Sequence, residues 1–144
     1  MLSQKARYAL RALIVLAQQQ DGEMPMMIAD IAAGAKVPRK FLEQILLELK
    51  KRGIVRSMRG RTGGYLLGRS PKKITFADII REIDGPLALS PCVSLTAYQK
   101  CVDDCFDENV CAIRKVLLAA RDATAQVLES RTLAQAVAQQ GGRR

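Results

Sequence analysis

Residues 29–67 read ADIAAGAKVPRKFLEQILLELKKRGIVRSMRGRTGGYLL, and this stretch decides the fold. Ile28, Ile31 and Ala32 share one face of a short helix that ends at Gly34, where a left-handed cap is easiest for glycine. Four residues later Pro38 carries the fixed φ favoured at the first position of a new helix. In that second helix Phe41, Leu42, Ile45, Leu46 and Leu49 fall on one face, while Arg39, Lys40, Glu43 and Gln44 lie at the exposed N-terminal end. Helix, glycine turn, helix is the spacing of a helix-turn-helix, whose second helix offers its first turns to the DNA major groove. A buried helix hairpin shows the same apolar face, so periodicity alone leaves both readings open.

The segment after Gly53 separates them. Ile54 to Ser57 and Tyr65 to Leu67 read as two short strands, joined by a loop from Met58 to Gly64. Three glycines let that loop take positive φ and approach a neighbour closely, and Arg59 and Arg61 project from it. A basic two-stranded wing is the companion expected of a recognition helix, with an arginine entering the narrow minor groove. The glycines do not form a phosphate-binding P-loop, because no Gly-Lys-Ser/Thr follows and helix and strand come in the wrong order.

Charge supports the same reading. The chain has 144 residues and a formal net charge of +9. Basic and acidic residues cancel from Met1 to Ala35 and nearly cancel from Ile74 to Arg144, whereas Lys36 to Lys73 holds twelve Lys or Arg against two Glu. That is a local footprint for a polyanion, although a solvated basic face would look alike. The 49% hydrophobic content is enough for a core. No apolar run long enough to span a membrane and no signal peptide is visible, so a cytoplasmic protein with reduced thiols is expected. With no His in the chain, Ser-His-Asp and Cys-His catalysis and His-ligated zinc are excluded, and the protein is not expected to be an enzyme.

Outward from the centre, Leu2, Ala6, Ala9, Leu10, Leu13, Ile14, Leu16 and Ala17 predict a first helix over Gln4 to Gln20, with Ser3 as its N-cap and Asp21-Gly22 as its stop. Lys5, Arg7 and Arg11 on its polar face are open to phosphate or to solvent. Beyond the wing, Thr75 and Asp78 form a capping-box pair, and Ile79, Ile80 and Ile83 mark a short helix ending at Gly85-Pro86. From Leu87 to Asn109 the pattern dissolves into Pro, Ser and acids. It returns at Ile113, Val116, Leu117, Ala120, Thr124, Val127 and Leu128, a helix of roughly 20 residues capped by Asp107 or Asn109. A short helix over 132–139 follows. The long helix needs a partner for its apolar stripe, either a second copy of itself or its own wing domain.

Cys92, Cys101, Cys105 and Cys111 crowd into this irregular stretch, separated by eight, three and five residues. Four independent core cysteines, an all-cysteine zinc site and an iron-sulfur cluster all remain open. Zinc sites favour paired C-x2-C knuckles, which are absent here, while a cluster takes soft thiolates from a pliable loop at irregular spacing.

The strings KARYALRAL, IADIA, FLEQILLELKKRGIV, RGRTGGYLLGRSP and ITFADIIREIDG together resemble the IscR/NsrR/RirA-like family of winged-helix transcription regulators that sense through iron-sulfur or redox chemistry. The resemblance covers Met1 to Gly85. It implies that Glu43 contacts bases and that Arg59 is the minor-groove arginine. Arg39 and Lys40 stand where some relatives carry serines, so no operator sequence carries over. Family sensors use three cysteines in this loop and a fourth, non-cysteine ligand. Cys92, Cys105 and Cys111 match the three, and Cys101 is extra. The position of the IscR-like histidine is Arg114, and the region supplying the NsrR-like carboxylate offers Tyr8 and no acid. The resemblance therefore implies Cys101 as fourth ligand of a 2Fe-2S or 4Fe-4S cluster.

The expected architecture is mainly α. A winged helix-turn-helix with a two-stranded wing (1–85) precedes a cysteine-bearing loop (86–111) and a long dimerisation helix with its tail (112–144). The expected function is a homodimeric regulator, a repressor, whose affinity for a double-stranded DNA operator is controlled by the cluster. A cluster-free thiol switch on the same DNA-binding part and an iron-sulfur electron carrier or delivery protein stand as alternatives.

Overall fold

Ser3 opens the first helix as its sequence predicts. In the computed structural model, which describes residues 1–101 and 107–142, its hydroxyl accepts the Ala6 N–H at 3.0 Å and starts α1 (Gln4–Ala17). One face of α1 buries Ala6, Ala9, Leu10, Ala12, Leu13, Leu16 and Ala17. The helix stops three residues earlier than expected. The chain turns through a single 3-10 turn, Gln20–Gly22, in which Asp21 and Gly22 hold φ of 57° and 82°.

The helix-turn-helix follows as α2 (Ile28–Ala35) and α3 (Arg39–Lys51). Its turn is built differently from expectation. Gly34 stays helical, and a Cβ there would sit 3.3 Å from Val15. The left-handed residue is Lys36, with φ of 53°. Running α2 one residue further buries Ala35 and lets Val37 N–H reach the Ala32 carbonyl at 3.1 Å, a Schellman closure with buried Val37 as its apolar contact. Pro38 caps α3 rather than opening it, its carbonyl accepting from Phe41 and Leu42 N–H at 3.1 Å each. Leu42, Ile45, Leu46 and Leu49 are buried, but Phe41, expected among them, is 61% exposed. A helix of this width sinks only about a third of its circumference, and Phe41 lies outside the arc that Leu42, Ile45, Leu46 and Leu49 occupy.

The wing is an antiparallel pair, β1 (Val55–Met58) and β2 (Gly64–Leu67), with Val55 opposite Leu67 and Met58 opposite Gly64. Met26 joins as a third, single-residue rung, exchanging two 2.8 Å backbone bonds with Tyr65. That rung explains Gly64, whose φ is 144° and on which a Cβ would collide with the Met26 carbonyl. A capping box between Thr75 and Asp78 starts α4 (Phe76–Asp84) as expected.

The chain then crosses a 3-10 turn, Pro91–Val93, and reaches α5 (Ala112–Ser130). Its cap is neither Asp107 nor Asn109. Cys111 takes the position, its Sγ accepting the Arg114 N–H at 3.4 Å. Nothing on α5 is buried, and Ile113, Val116 and Val127 are 72%, 68% and 58% exposed. The last helix, α6 (Leu133–Gly141), starts with a second capping box, Thr132 with Gln135, and returns to the front of the molecule. Phe76 N–H donates to the Arg131 carbonyl and Leu133 N–H to the Ile74 carbonyl, each at 3.0 Å. Leu133 is fully buried in the same core as Leu13, Leu16, Ile31, Leu42 and Ile79. Each such leucine contributes about 2 kcal/mol on leaving water. No described helix is long and apolar enough to cross a membrane.

Candidate functional site

The reading end of α3 is charged and open. Arg39, Lys40, Glu43 and Gln44 are all exposed on its first two turns. Arg39 Nε lies 3.5 Å from Glu43 Oε1, an i,i+4 pair on the solvent face. Such a pair stabilises by less than about 1 kcal/mol and is easily exchanged. The guanidinium offsets the negative charge of the carboxylate, so the exposed end of α3 stays net positive.

Behind this end stands an aromatic layer that the sequence did not announce. Phe41 lies at an inclined angle to Tyr8 of α1, ring centroids 6.3 Å apart, and the Arg11 guanidinium lies over the Tyr8 ring, 5.4 Å from its centroid. Arg11 also donates to the Ala35 and Lys36 carbonyls at 3.4 Å each, satisfying the end of α2. Lys5 pairs with Glu48 at 2.6 Å. Two of the three α1 cations considered for phosphate contact thus serve the packing of α1 against the helix-turn-helix. Arg7, the third, is exposed and has no ion-pair partner among the described residues. The left-handed Lys36, exposed at the turn before α3, is a further cation near the reading end.

On the wing, Arg59 and Arg61 are exposed either side of Gly60, whose φ is 113°. The tip is tight: a Cβ on Gly63 would strike the Met58 carbonyl. Neither arginine makes an ion pair with any described residue, so both guanidiniums are available to an incoming polyanion. Arg56, exposed on β1, adds a third.

The cysteine segment is partly assembled at the start of α5. Cys92, in the Pro91–Val93 turn, is 7% exposed, with its Sγ 3.3 Å from the Ser90 hydroxyl. Cys111 caps α5, its Sγ accepting a backbone N–H of the first turn. Arg114 joins the two, its backbone N–H on Cys111 Sγ and its Nε on the Cys92 carbonyl at 3.2 Å. Seven residues on, Arg121 donates to the Val93 carbonyl at 2.7 Å. Glu108 lies 3.9 Å from Arg114 and accepts the Tyr98 hydroxyl at 2.8 Å; that hydrogen bond is the main reason the Tyr98 pKa is raised. Cys101 is exposed, and Cys105 lies outside the described residues. Among the described residues no three Cys, Asp or Glu converge as a metal site. The donor set nonetheless suits iron-sulfur chemistry, since all four candidates are soft thiols, and Arg114 bonds both the cap thiol Cys111 and the backbone of Cys92. Arg114 and Arg121 were missed as functional residues, although their spacing of two helical turns puts them on one face.

Comparison with known proteins agrees with this geometry. The model of the Rrf2 family, whose description reads "Iron-dependent Transcriptional regulator", matches residues 2–139. An rrf2-like HTH-type transcriptional regulator of Rhodobacter capsulatus is 48% identical over 118 residues, covering 81% of this chain and 78% of the relative. Among solved structures, CymR, the global cysteine regulator of B. subtilis, superposes with a TM-score of 0.77 at 34% identity over 96% of each chain. IscR of T. potens gives 0.77 at 28% identity over all of this chain and 91% of its own. With its helix-turn-helix, its glycine-rich wing and a family match over nearly its full length, the chain belongs to the Rrf2 family of helix-turn-helix transcriptional regulators.

Proposed function

We propose that this regulator is a homodimer, acts in the cytoplasm as a repressor, and binds its operator with an affinity set by an iron-sulfur cluster on Cys92, Cys101, Cys105 and Cys111. The observation that carries the reading is the position of Cys111. One of the four thiols is the N-cap of α5, so the segment that would hold a cluster and the helix that would hold a partner copy share a residue.

In this reading Arg39, Lys40, Glu43 and Gln44 enter the major groove, while Arg59, with Arg61 beside it, reaches the minor groove. Two copies related by a two-fold axis address half-sites about 34 Å apart, or a multiple of that. The exposed Ile113, Val116 and Val127 along α5, about 28 Å long at 1.5 Å per residue, supply the apolar stripe a partner helix would cover. A bound cluster supplies metal–thiolate bonds that can be made and lost. Loading would draw the exposed Cys101 toward Cys92 and Cys111, and that movement would bear on the first turn of α5. A hundredfold change in operator affinity needs only about 2.7 kcal/mol of coupling.

The same thiols support a second reading, a metal-free redox switch. It is favoured by the exposure of Cys101, by the helix-end position of Cys111, and by the likeness to a cysteine regulator. One preparation separates the two. Protein purified without oxygen is assayed for iron and sulfide, then titrated onto duplexes chosen from a random pool, before and after chelation. Bound iron and sulfide together with an affinity that changes on stripping support the cluster. Colourless protein whose affinity responds to peroxide supports the switch, and equal affinity in every state defeats both.

A further inference from the structure

The cysteine turn has an irregular backbone, and its polar groups must find partners outside a regular ladder. The Pro91 carbonyl is satisfied locally, by Ser94 and Gln99 N–H at 3.1 and 3.2 Å. The next two carbonyls are not. Cys92 O takes Arg114 Nε at 3.2 Å and Val93 O takes Arg121 Nη1 at 2.7 Å. Both guanidiniums come from one face of α5, from Cα atoms about 10.5 Å apart along the axis, and converge on adjacent peptides. They are the more enclosed charged side chains of this helix, 24% and 15% exposed. Each is further steadied by a carboxylate, Glu108 for Arg114 and Asp122 for Arg121, at 3.9 and 2.6 Å. Arg114 also gives its backbone N–H to Cys111 Sγ, so a single residue touches the neighbourhoods of two thiols.

We infer that Arg114 and Arg121 form a two-point latch that fastens the Cys92 turn to α5, with Arg114 the positioning residue that holds Cys92 beside Cys111. The latch explains why Cys92 is buried although its turn packs against a helix with no buried residue of its own. It also makes α5 the element that feels any chemistry at Cys92: drawing that thiol toward a metal or an oxidant must either carry α5 along or break two charge-assisted hydrogen bonds. Guanidinium suits the task because its Nε–H and Nη–H directions are fixed, whereas a lysine ammonium offers the charge without the direction. This sensing role rests on the thiols being the regulatory site; the latch itself does not.

The test uses the full-length protein, metal-free and fully reduced, pulse-labelled with iodoacetamide and read thiol by thiol by peptide mass spectrometry. Arg114→Gln should raise Cys92 labelling about tenfold, the change expected when one hydrogen bond to a charged group is lost. Arg121→Gln, which frees only the Val93 carbonyl, should raise it too, and the double variant should exceed both. Exposed Cys101 should label at the parental rate throughout, which separates release of the turn from general unfolding. Arg114→Lys should fail to restore protection. Parental Cys92 labelling in the double variant, or full protection by lysine, overturns the latch. Iron and sulfide assays on the reconstituted parent report separately on the cluster: a parent without iron ends that reading and leaves the labelling result standing.

Discussion

Among the described residues no carboxylate pairs with Arg59 at the wing tip, whereas Glu43 pairs with Arg39, and this difference predicts different defects. Arg59→Ala should weaken operator binding while the melting temperature stays close to the parent; anisotropy titration at physiological salt showing unchanged affinity would remove the minor-groove role. Glu43→Ala should instead relax discrimination at one base pair by about 1–3 kcal/mol, visible as a broadened base preference in selection from a random pool. Of the three described thiols, Cys101 is the exposed one. Cys101→Ser should lower the iron content of anaerobically purified protein, and normal loading would assign the fourth ligand elsewhere. Phe41 shows how far residue-level reading goes. Its spacing counted it with the core, but the buried arc of α3 is narrower than the apolar arc of the sequence, and the exposed ring lies beside Tyr8 of α1 at the edge of that contact.

Local chemistry set most elements. The Ser3 cap and both capping boxes follow from short-range bonds between residues three positions apart, and such signals are legible in one dimension. The boundaries that moved did so for non-local reasons. Gly34 yields the left-handed position to Lys36 because Ala35 and Val37 gain burial. Cys111 outcompetes Asp107 and Asn109 as cap because Arg114 ties that end of α5 to the Cys92 turn. The clearest non-local effect is Leu133. A tail helix by pattern alone, α6 lays this residue into the core of the winged domain. Leu133→Ala should therefore cost about 2–5 kcal/mol in denaturant unfolding, where a surface tail would lose almost nothing.

At the scale of the molecule, the winged domain carries the exposed basic charge and the long α5 carries an exposed apolar stripe, with the Cys92 turn packed against that helix. Val116, 68% exposed on that stripe, is the place to test whether a second copy covers it. Val116→Asp should halve the mass measured by light scattering and weaken binding to a two-half-site operator more than to one half-site, because two tethered readers raise effective concentration. An unchanged mass would send the partner surface elsewhere. The helix-turn-helix, the basic wing and the crowding of four thiols were determined by sequence alone, since periodicity, caps, glycines and charge are properties of neighbours along the chain. Which aromatic faces solvent, which arginines are spent on packing or on the Cys92 turn, and how α6 completes the core were decided only by tertiary structure, because each depends on residues 22 to 122 positions apart meeting in space.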